Sequence, residues 1–197
     1  MSKKTQGAVT DADRAYVREL FPEVAQISDE KLAAEVVNIW AEVWKESPWE
    51  RIEDVPKNPE TVKLKFGLVA HTRSVTLQAI AVAQAAQQFY GISANMDLLI
   101  AGALLHDVSK MLEYGPKPDG GAGKTQHGKL IQHGIYGAVK SFEHGLPTEL
   151  NHMIVSHTAQ SAHHPKTLEC IILHYVDYAD TDVLAWENGS KLQLDRH

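Results

Sequence analysis

Leu104-Leu105-His106-Asp107-Val108-Ser109-Lys110 is the stretch on which the reading of this chain turns. A histidine, an aspartate and a lysine stand inside an otherwise oily segment that reads as a helix over residues 95–114, stopped by Gly115-Pro116. An ionised carboxylate buried there without a partner would cost several kcal/mol, roughly the whole stability of a domain. A divalent cation compensates Asp107, and His106 can share it. Neighbours on a helix diverge by about 100°, so both side chains can reach an ion between their directions. Lys110 follows His106 by one turn on the same face. Two readings of it stand side by side: a point charge holding an anionic substrate, or a salt bridge to Glu113 or Asp107.

Working outward, helical patterns dominate. Residues 66–90 are Ala-rich and end at Gly91, a good C-terminal stop. Beyond the central segment, Pro118-Asp119-Gly120-Gly121-Ala122-Gly123 reads as a mobile loop, followed by helices around 131–144, 147–158 and 166–186. Upstream, residues 11–20 form a short helix ended near Pro22. Ser28 is placed to cap a helix carrying Leu32, Val36, Ile39, Trp40 and Val43 on one stripe. Pro48, Pro56 and Pro59 break the chain, with Trp49 expected to pack the N-terminal helices onto the rest. Strand alternation is weak. The expectation is one all-α domain over 1–197, with 1–58 as an N-terminal helical extension.

The totals exclude several classes. No apolar run is long enough for a membrane span. The polar start leads into no apolar signal core, which makes a cytoplasmic location the default. Cys170 is the only cysteine, so no intrachain disulfide and no thiolate metal cage can form, and it reads as a small core residue. A net charge of −6 without a basic stripe argues against a nucleic-acid partner. Histidine, at 11 copies, is in excess, and with only His197 at the end it is not a tag.

His71, His133, His157 and Asp177 each lie on or beside an apolar stretch. With His106 and Asp107 they supply enough donors for two ions, and imidazole with carboxylate suits Mn, Fe, Zn, Co or Ni. Two such ions about 3.5–4 Å apart, bridged by Asp107, can deprotonate a water between them. His127, six residues before His133, could substitute for it but lacks the glycine pattern that follows His133, while His152, His163 and His164 read as surface or supporting histidines. His174, one turn before Asp177, reads as a supporting or substrate-side residue. Of the nearby carboxylates, Asp180 is a better site candidate than Asp182.

The order His71, His106-Asp107, His133, His157, Asp177 resembles the HD-domain metalloprotein superfamily. His71-Thr72-Arg73-Ser74-Val75 resembles its first histidine motif, and Leu105-His106-Asp107-Val108-Ser109-Lys110 its name-giving motif in the version with a lysine. His133-Gly134-Ile135-Tyr136-Gly137-Ala138 resembles the motif of two-metal members, and Val176-Asp177-Tyr178-Ala179-Asp180 the final aspartate motif. The resemblance covers about 67–186. The 40–56 segment looks like the N-terminal part of stand-alone bacterial HD proteins.

The resemblance implies a five-helix core. It implies one metal on His71, His106, Asp107 and Asp177, and a second on Asp107, His133 and His157. These would be divalent ions, Fe or Mn favoured, with Zn, Co, Ni or Mg possible. It implies a metal-dependent hydrolase, foremost a phosphohydrolase acting on a small anionic substrate through a metal-bridging hydroxide. Asp107 and Lys110 would be its catalytic groups, with Lys124, Lys129 and His174 toward the substrate. A mixed-valent di-iron oxygenase cleaving a C–C or C–P bond uses the same donors. A non-catalytic metal-binding module is the third reading, against which the complete donor set counts. The Gly-Tyr-Pro signature of cyclic-dinucleotide phosphodiesterases is absent after His157, where Thr158-Ala159-Gln160 stands. No oligomeric state follows from the sequence.

Overall fold

The computed structural model describes residues 7–59, 67–158 and 161–196. The chain runs through α1 (Asp11–Leu20), a 3-10 turn (Pro22–Gln26), α2 (Glu30–Glu46) and a second 3-10 turn (Ile52–Asp54). It continues through α3 (Leu68–Tyr90), α4 (Met96–Leu105) and α5 (Lys110–Glu113) to β1 (Tyr114–Pro116) and β2 (Ala122–Lys124). α6 (Gln126–Leu130), α7 (His133–Glu143), α8 (Thr148–Ser156) and α9 (Leu168–Glu187) follow, then a 3-10 turn (Gln193–Arg196). The fold is all-α, with one two-stranded antiparallel sheet among the described residues.

α4 organises the rest. Every residue from Leu99 to Leu105 is buried, as expected of a helix that is apolar all round. It packs against α2, α3, α8, α9 and the Pro22–Gln26 turn. The expected α2 stripe is buried, and one apolar cluster runs from Val17 on α1 to Val176 on α9. Trp49 is buried, and its indole donates to the Tyr114 carbonyl at 2.8 Å, tying the chain after α2 to the end of α5. No helix among the described residues is long and apolar enough to cross a membrane.

Several local expectations are corrected. The 95–114 helix is not continuous: α4 stops at Leu105 and a tight turn covers 106–109. The cause lies across the core. The Trp40 indole donates to the Leu104 carbonyl at 2.9 Å. Val108 N then bonds Leu105 O at 3.1 Å, and Lys110 N bonds Asp107 O at 3.0 Å. These three-residue steps overwind the chain at His106 and Asp107.

Residues 118–123 are not a loose loop but part of a hairpin, with Gly115 opposite Gly123. Gly120 turns the chain at φ 83°, a conformation costly for a residue with a Cβ. Ser28 is not the cap of α2. Asp29 accepts from Leu32 N at 3.0 Å, while Ser28 N and Oγ donate to Asp97 at 2.8 and 2.6 Å, pinning the start of α2 to the first turn of α4. The expected 131–144 helix begins at His133, after the separate α6. Phe66, Ala159 and Gln160, which also figured in the sequence reading, lie outside the described residues.

α7 is locked to α2 by charge. His144 sits between Glu35 (2.7 Å) and Glu42 (2.6 Å), and Lys140 reaches Glu42 (2.9 Å) and Glu46 (2.7 Å). Burial opposes the His144 charge, but the two carboxylates win and raise its pKa above 6.5. That stabilisation is complete below pH 6.5 and fades as pH rises through the folded value. His144→Gln is therefore expected to cost about 1 kcal/mol at pH 6 by urea unfolding, with the difference closing in alkaline buffer. A gap that is constant with pH would remove His144 as its source.

Candidate metal centre

Six side chains from five elements converge at the C-terminal end of α4. α3 brings His71, and the overwound turn brings His106 and Asp107. α7 opens with His133, the chain leaving α8 carries His157, and α9 supplies Asp177. All six are buried. Two groups form, each with donor atoms close enough to share one ion: His71, His106 and Asp177, and Asp107, His133 and His157.

Asp107 joins the groups. Its Oδ2 lies 3.3 Å from His71 Nε2 and 3.4 Å from His106 Nε2. Its Oδ1 lies 3.3 Å from His133 Nε2 and 3.5 Å from His157 Nε2. Asp177 Oδ1 is 3.1 Å from His71 Nε2 and 3.9 Å from His106 Nε2.

The far side of each ring decides what the near side offers. His106 Nδ1 faces the Ala103 carbonyl at 2.7 Å, and His157 Nδ1 faces the Ile154 carbonyl at 2.8 Å. A carbonyl only accepts, so both Nδ1 atoms carry a proton. His71 Nδ1 meets Asp180 Oδ2 at 2.6 Å, and His133 Nδ1 lies 3.0 Å from Glu113 Oε2. The last contact is close but lacks the alignment of a full hydrogen bond. Asp180 is itself held by Ser74 Oγ (2.5 Å) and Gln78 Nε2 (3.0 Å). With Nδ1 as donor, each neutral ring turns the lone pair of Nε2 inward.

These lone pairs face one another: His71 Nε2 and His106 Nε2 are 3.3 Å apart, as are His133 Nε2 and His157 Nε2. Neither Asp107 oxygen has a well-formed hydrogen bond, although Lys110 Nζ is 2.8 Å from Oδ2. Buried lone pairs aimed at one another and at an under-bonded carboxylate are what a cation relieves. The donor set therefore fits one or two divalent ions.

Without a cation, charge and burial set the protonation states, and His71 keeps a second proton at neutral pH. Burial would raise the Asp107 carboxyl, yet the Lys110 ammonium and His106 hold it well below the usual carboxylate range. Asp177 is likewise held far down, against burial, chiefly by His71 and Lys57. His71 feels burial and Lys57 against its proton, but Asp107, Asp177 and Asp180 outweigh them and lift its pKa to about 9. Burial lowers His133, and Glu113, against burial, is drawn to about 2 by His133 and Lys124.

The centre opens into a cavity of about 710 Å³ whose walls include Lys57, Lys110, Lys124, His133, His157 and Asp177. Lys110 makes the salt bridge to Asp107 and also faces the cavity, so both readings of it describe the same side chain. Lys124 is half exposed and paired with Glu113 at 3.0 Å. Lys129 is exposed on α6 and is not part of the wall. His174 does not line the cavity either: its Nδ1 meets the His157 carbonyl at 2.7 Å, where it steadies that histidine. His127 packs on Tyr136, His152 approaches Lys166 N at 3.0 Å, and His163 and His164 are exposed.

Sequence reasoning missed two residues. Glu113 was weighed only against Lys110, and its contact with His133 has no local signal. Lys57 lies between Pro56 and Pro59, where no periodicity marks it.

Gly134 allows α7 to approach α8: a Cβ there would meet the Ile154 carbonyl at 2.9 Å. That oxygen also orients His157. Gly134→Ala is expected to destabilise by about 1–3 kcal/mol in urea unfolding and to weaken metal binding by shifting His133 against His157. Unchanged stability would show that the helices have room to move.

The family model described as HD domain matches residues 68–182. The chain is 34% identical over 120 residues to a dihydroneopterin 2',3'-cyclic phosphate phosphodiesterase of Methanocaldococcus jannaschii, a match covering 59% of this chain and 47% of that protein. It is 40% identical over 101 residues to the 3'-5' exoribonuclease YhaM of a Geobacillus species, covering 45% of this chain and 30% of the relative. The chain thus spans less than half the length of either curated relative. No solved structure matches.

Proposed function

The chain belongs to the HD-domain family, and on that premise we propose that it is a metal-dependent phosphohydrolase cleaving a phosphate ester of a small anionic substrate. The observation that carries this reading is Asp107: each of its oxygens faces its own pair of inward-pointing imidazole nitrogens. His71, His106, Asp107 and Asp177 would hold one ion, and Asp107, His133 and His157 the other. When bound, such ions supply Lewis acidity, acidifying a water and offsetting charge on a phosphoryl group.

The protein's own groups do the rest. Asp180 accepts the proton on the outer nitrogen of His71, and Glu113 lies 3.0 Å from the outer nitrogen of His133, so the inner nitrogens are the ones that would face a cation, which at neutral pH would displace a proton from His71. The Lys110 ammonium, on the cavity wall beside Asp107, offers a point charge to a phosphoryl oxygen. Lys124 stands farther out at the mouth, paired with Glu113. Around the centre, Asp107, Asp177, Asp180 and Glu113 outnumber the buried ammonium groups of Lys57 and Lys110. The ligand set by itself therefore attracts cations, and with two divalent ions bound it would attract an anion.

The names of both relatives describe cleavage at phosphodiester links, which favours phosphate chemistry over oxygenation. The cavity volume of about 710 Å³ and the net charge of −6 favour a small substrate over RNA. Fe and Mn are the metals to try first. The test is a panel of phosphomonoesters, phosphodiesters and 2',3'-cyclic nucleotides, run on metal-stripped protein with Mn²⁺ or with Fe²⁺ under a dissolved-oxygen probe. Metal-dependent ester cleavage without oxygen uptake is expected. Oxygen uptake without ester cleavage would replace this reading with the oxygenase, and neither reaction would leave a binding module.

A further inference from the structure

We propose that Lys57, brought in by the segment ahead of the matched family region, is a phosphate-holding residue of the same centre and grips the substrate's phosphoryl group together with Lys110. The inference rests on the phosphohydrolase reading and adds a residue that the family match, beginning at residue 68, does not cover.

Lys57 is fixed in place by its neighbours. Ile52 and Val55 are fully buried, and the Val55 carbonyl accepts from Leu68 N at 2.8 Å. Gly67 lies so close that a Cβ would meet the same carbonyl at 2.6 Å. The segment is thereby pinned to the first turn of α3, the helix that carries His71, and Lys57 extends from it into the cavity with 4% exposure.

A buried ammonium needs partners for three protons. Among the described residues Lys57 has the Thr181 hydroxyl and, at 4.0 Å, Asp177 Oδ1. That distance is long for an ion pair, and the same oxygen is 3.1 Å from His71 Nε2. Among the described residues, the donor capacity of Lys57 is thus unfilled on the cavity side. Lys110 stands on the same wall, and the two like charges repel. An anion between two ammonium groups removes that repulsion and fills the vacant donors, and a phosphoryl group offers several oxygens to do so.

The test uses the full chain loaded with Mn²⁺ and inorganic phosphate as the probe, with phosphate affinity read by calorimetry and bound metal by elemental analysis. Lys57→Met and Lys57→Gln both remove the charge, so that one failing to fold leaves the other. Either is expected to weaken phosphate about 10- to 100-fold, the scale of one charge-assisted hydrogen bond, with bound metal unchanged. Lys57→Arg should recover part of the loss, and Lys31→Gln, an exposed lysine of α2 off the wall, should bind like the native chain. Native-like phosphate affinity in the uncharged variants overturns the inference while leaving the phosphohydrolase reading intact. Loss of metal in step with phosphate also overturns it, because Lys57 would then act through Asp177. A native, metal-loaded chain that binds no phosphate would undo both readings at once.

Discussion

Asp107→Asn is expected to abolish tight metal binding and, with it, metal-dependent ester cleavage. The carboxylate is 1% exposed and places one oxygen toward each half of the centre. Asparagine keeps the shape but offers one neutral oxygen and, on the other side, an NH2 group that would point at a pair of imidazole nitrogens. Lys110 also loses the oxygen 2.8 Å from its ammonium. Removing one partner of a buried ion pair costs about 3–5 kcal/mol, which taken as lost binding energy is about 10²- to 10⁴-fold in affinity. Elemental analysis after dialysis against Mn²⁺ should find the variant depleted in both ions, because Asp107 serves both groups. Urea unfolding of the metal-free proteins should find it less stable than its parent, because Lys110 is left uncompensated. A variant that keeps both ions and its rate would show that the convergence on Asp107 serves packing instead.

The all-helical fold could be read from helical periodicity, and the residues that gather around Asp107 stand out by their places beside apolar stretches and by the resemblance to the HD superfamily. Charged residues at the end of a helix as apolar as α4 demand compensation, and a histidine or aspartate beside each other apolar stretch is a candidate to supply it. The structure brings those same residues around Asp107. What could not be read depends on partners distant in sequence. α4 breaks at Leu105 because an indole on α2 takes the Leu104 carbonyl, and no feature of residues 95–114 encodes that bond. Ser28 has the composition of a cap but is drawn to Asp97. The glycines at 120, 121 and 123 suggest looseness, yet they close a hairpin whose ends are set by Thr125 N bonding Glu113 O at 3.0 Å. Lys57 is the strongest case, since its place follows only from Val55 meeting the start of α3.

Metal affinity is expected to fall about tenfold for each pH unit below about 9, a loss of about 1.4 kcal/mol per unit. His71 sets this slope. In the metal-free protein its pKa is lifted to about 9 by the three carboxylates around it, so in neutral buffer a proton occupies the position a cation would take. An ion must displace that proton, and the cost grows as the pH drops. Asp107 and Asp177 are held far below this window, and burial pushes His133 downward.

The same shift fixes the sign for folding. A raised folded pKa stabilises the metal-free chain fully below about 6.5 and loses that contribution as pH rises through about 9. The metal-free protein should therefore weaken between pH 6.5 and 9 while the metal-loaded protein binds its ions more tightly. The difference in unfolding free energy between the two forms should widen by about 2.3 kcal/mol from pH 7 to pH 9, where His71 is half titrated. Calorimetry of Mn²⁺ binding near pH 8 in buffers of different ionisation enthalpy should register close to one proton released per His71 site. His71→Gln should flatten the slope and remove that proton. A difference that stays constant from pH 7 to pH 9, or proton release that survives His71→Gln, would mean that another group carries the charge the cation replaces.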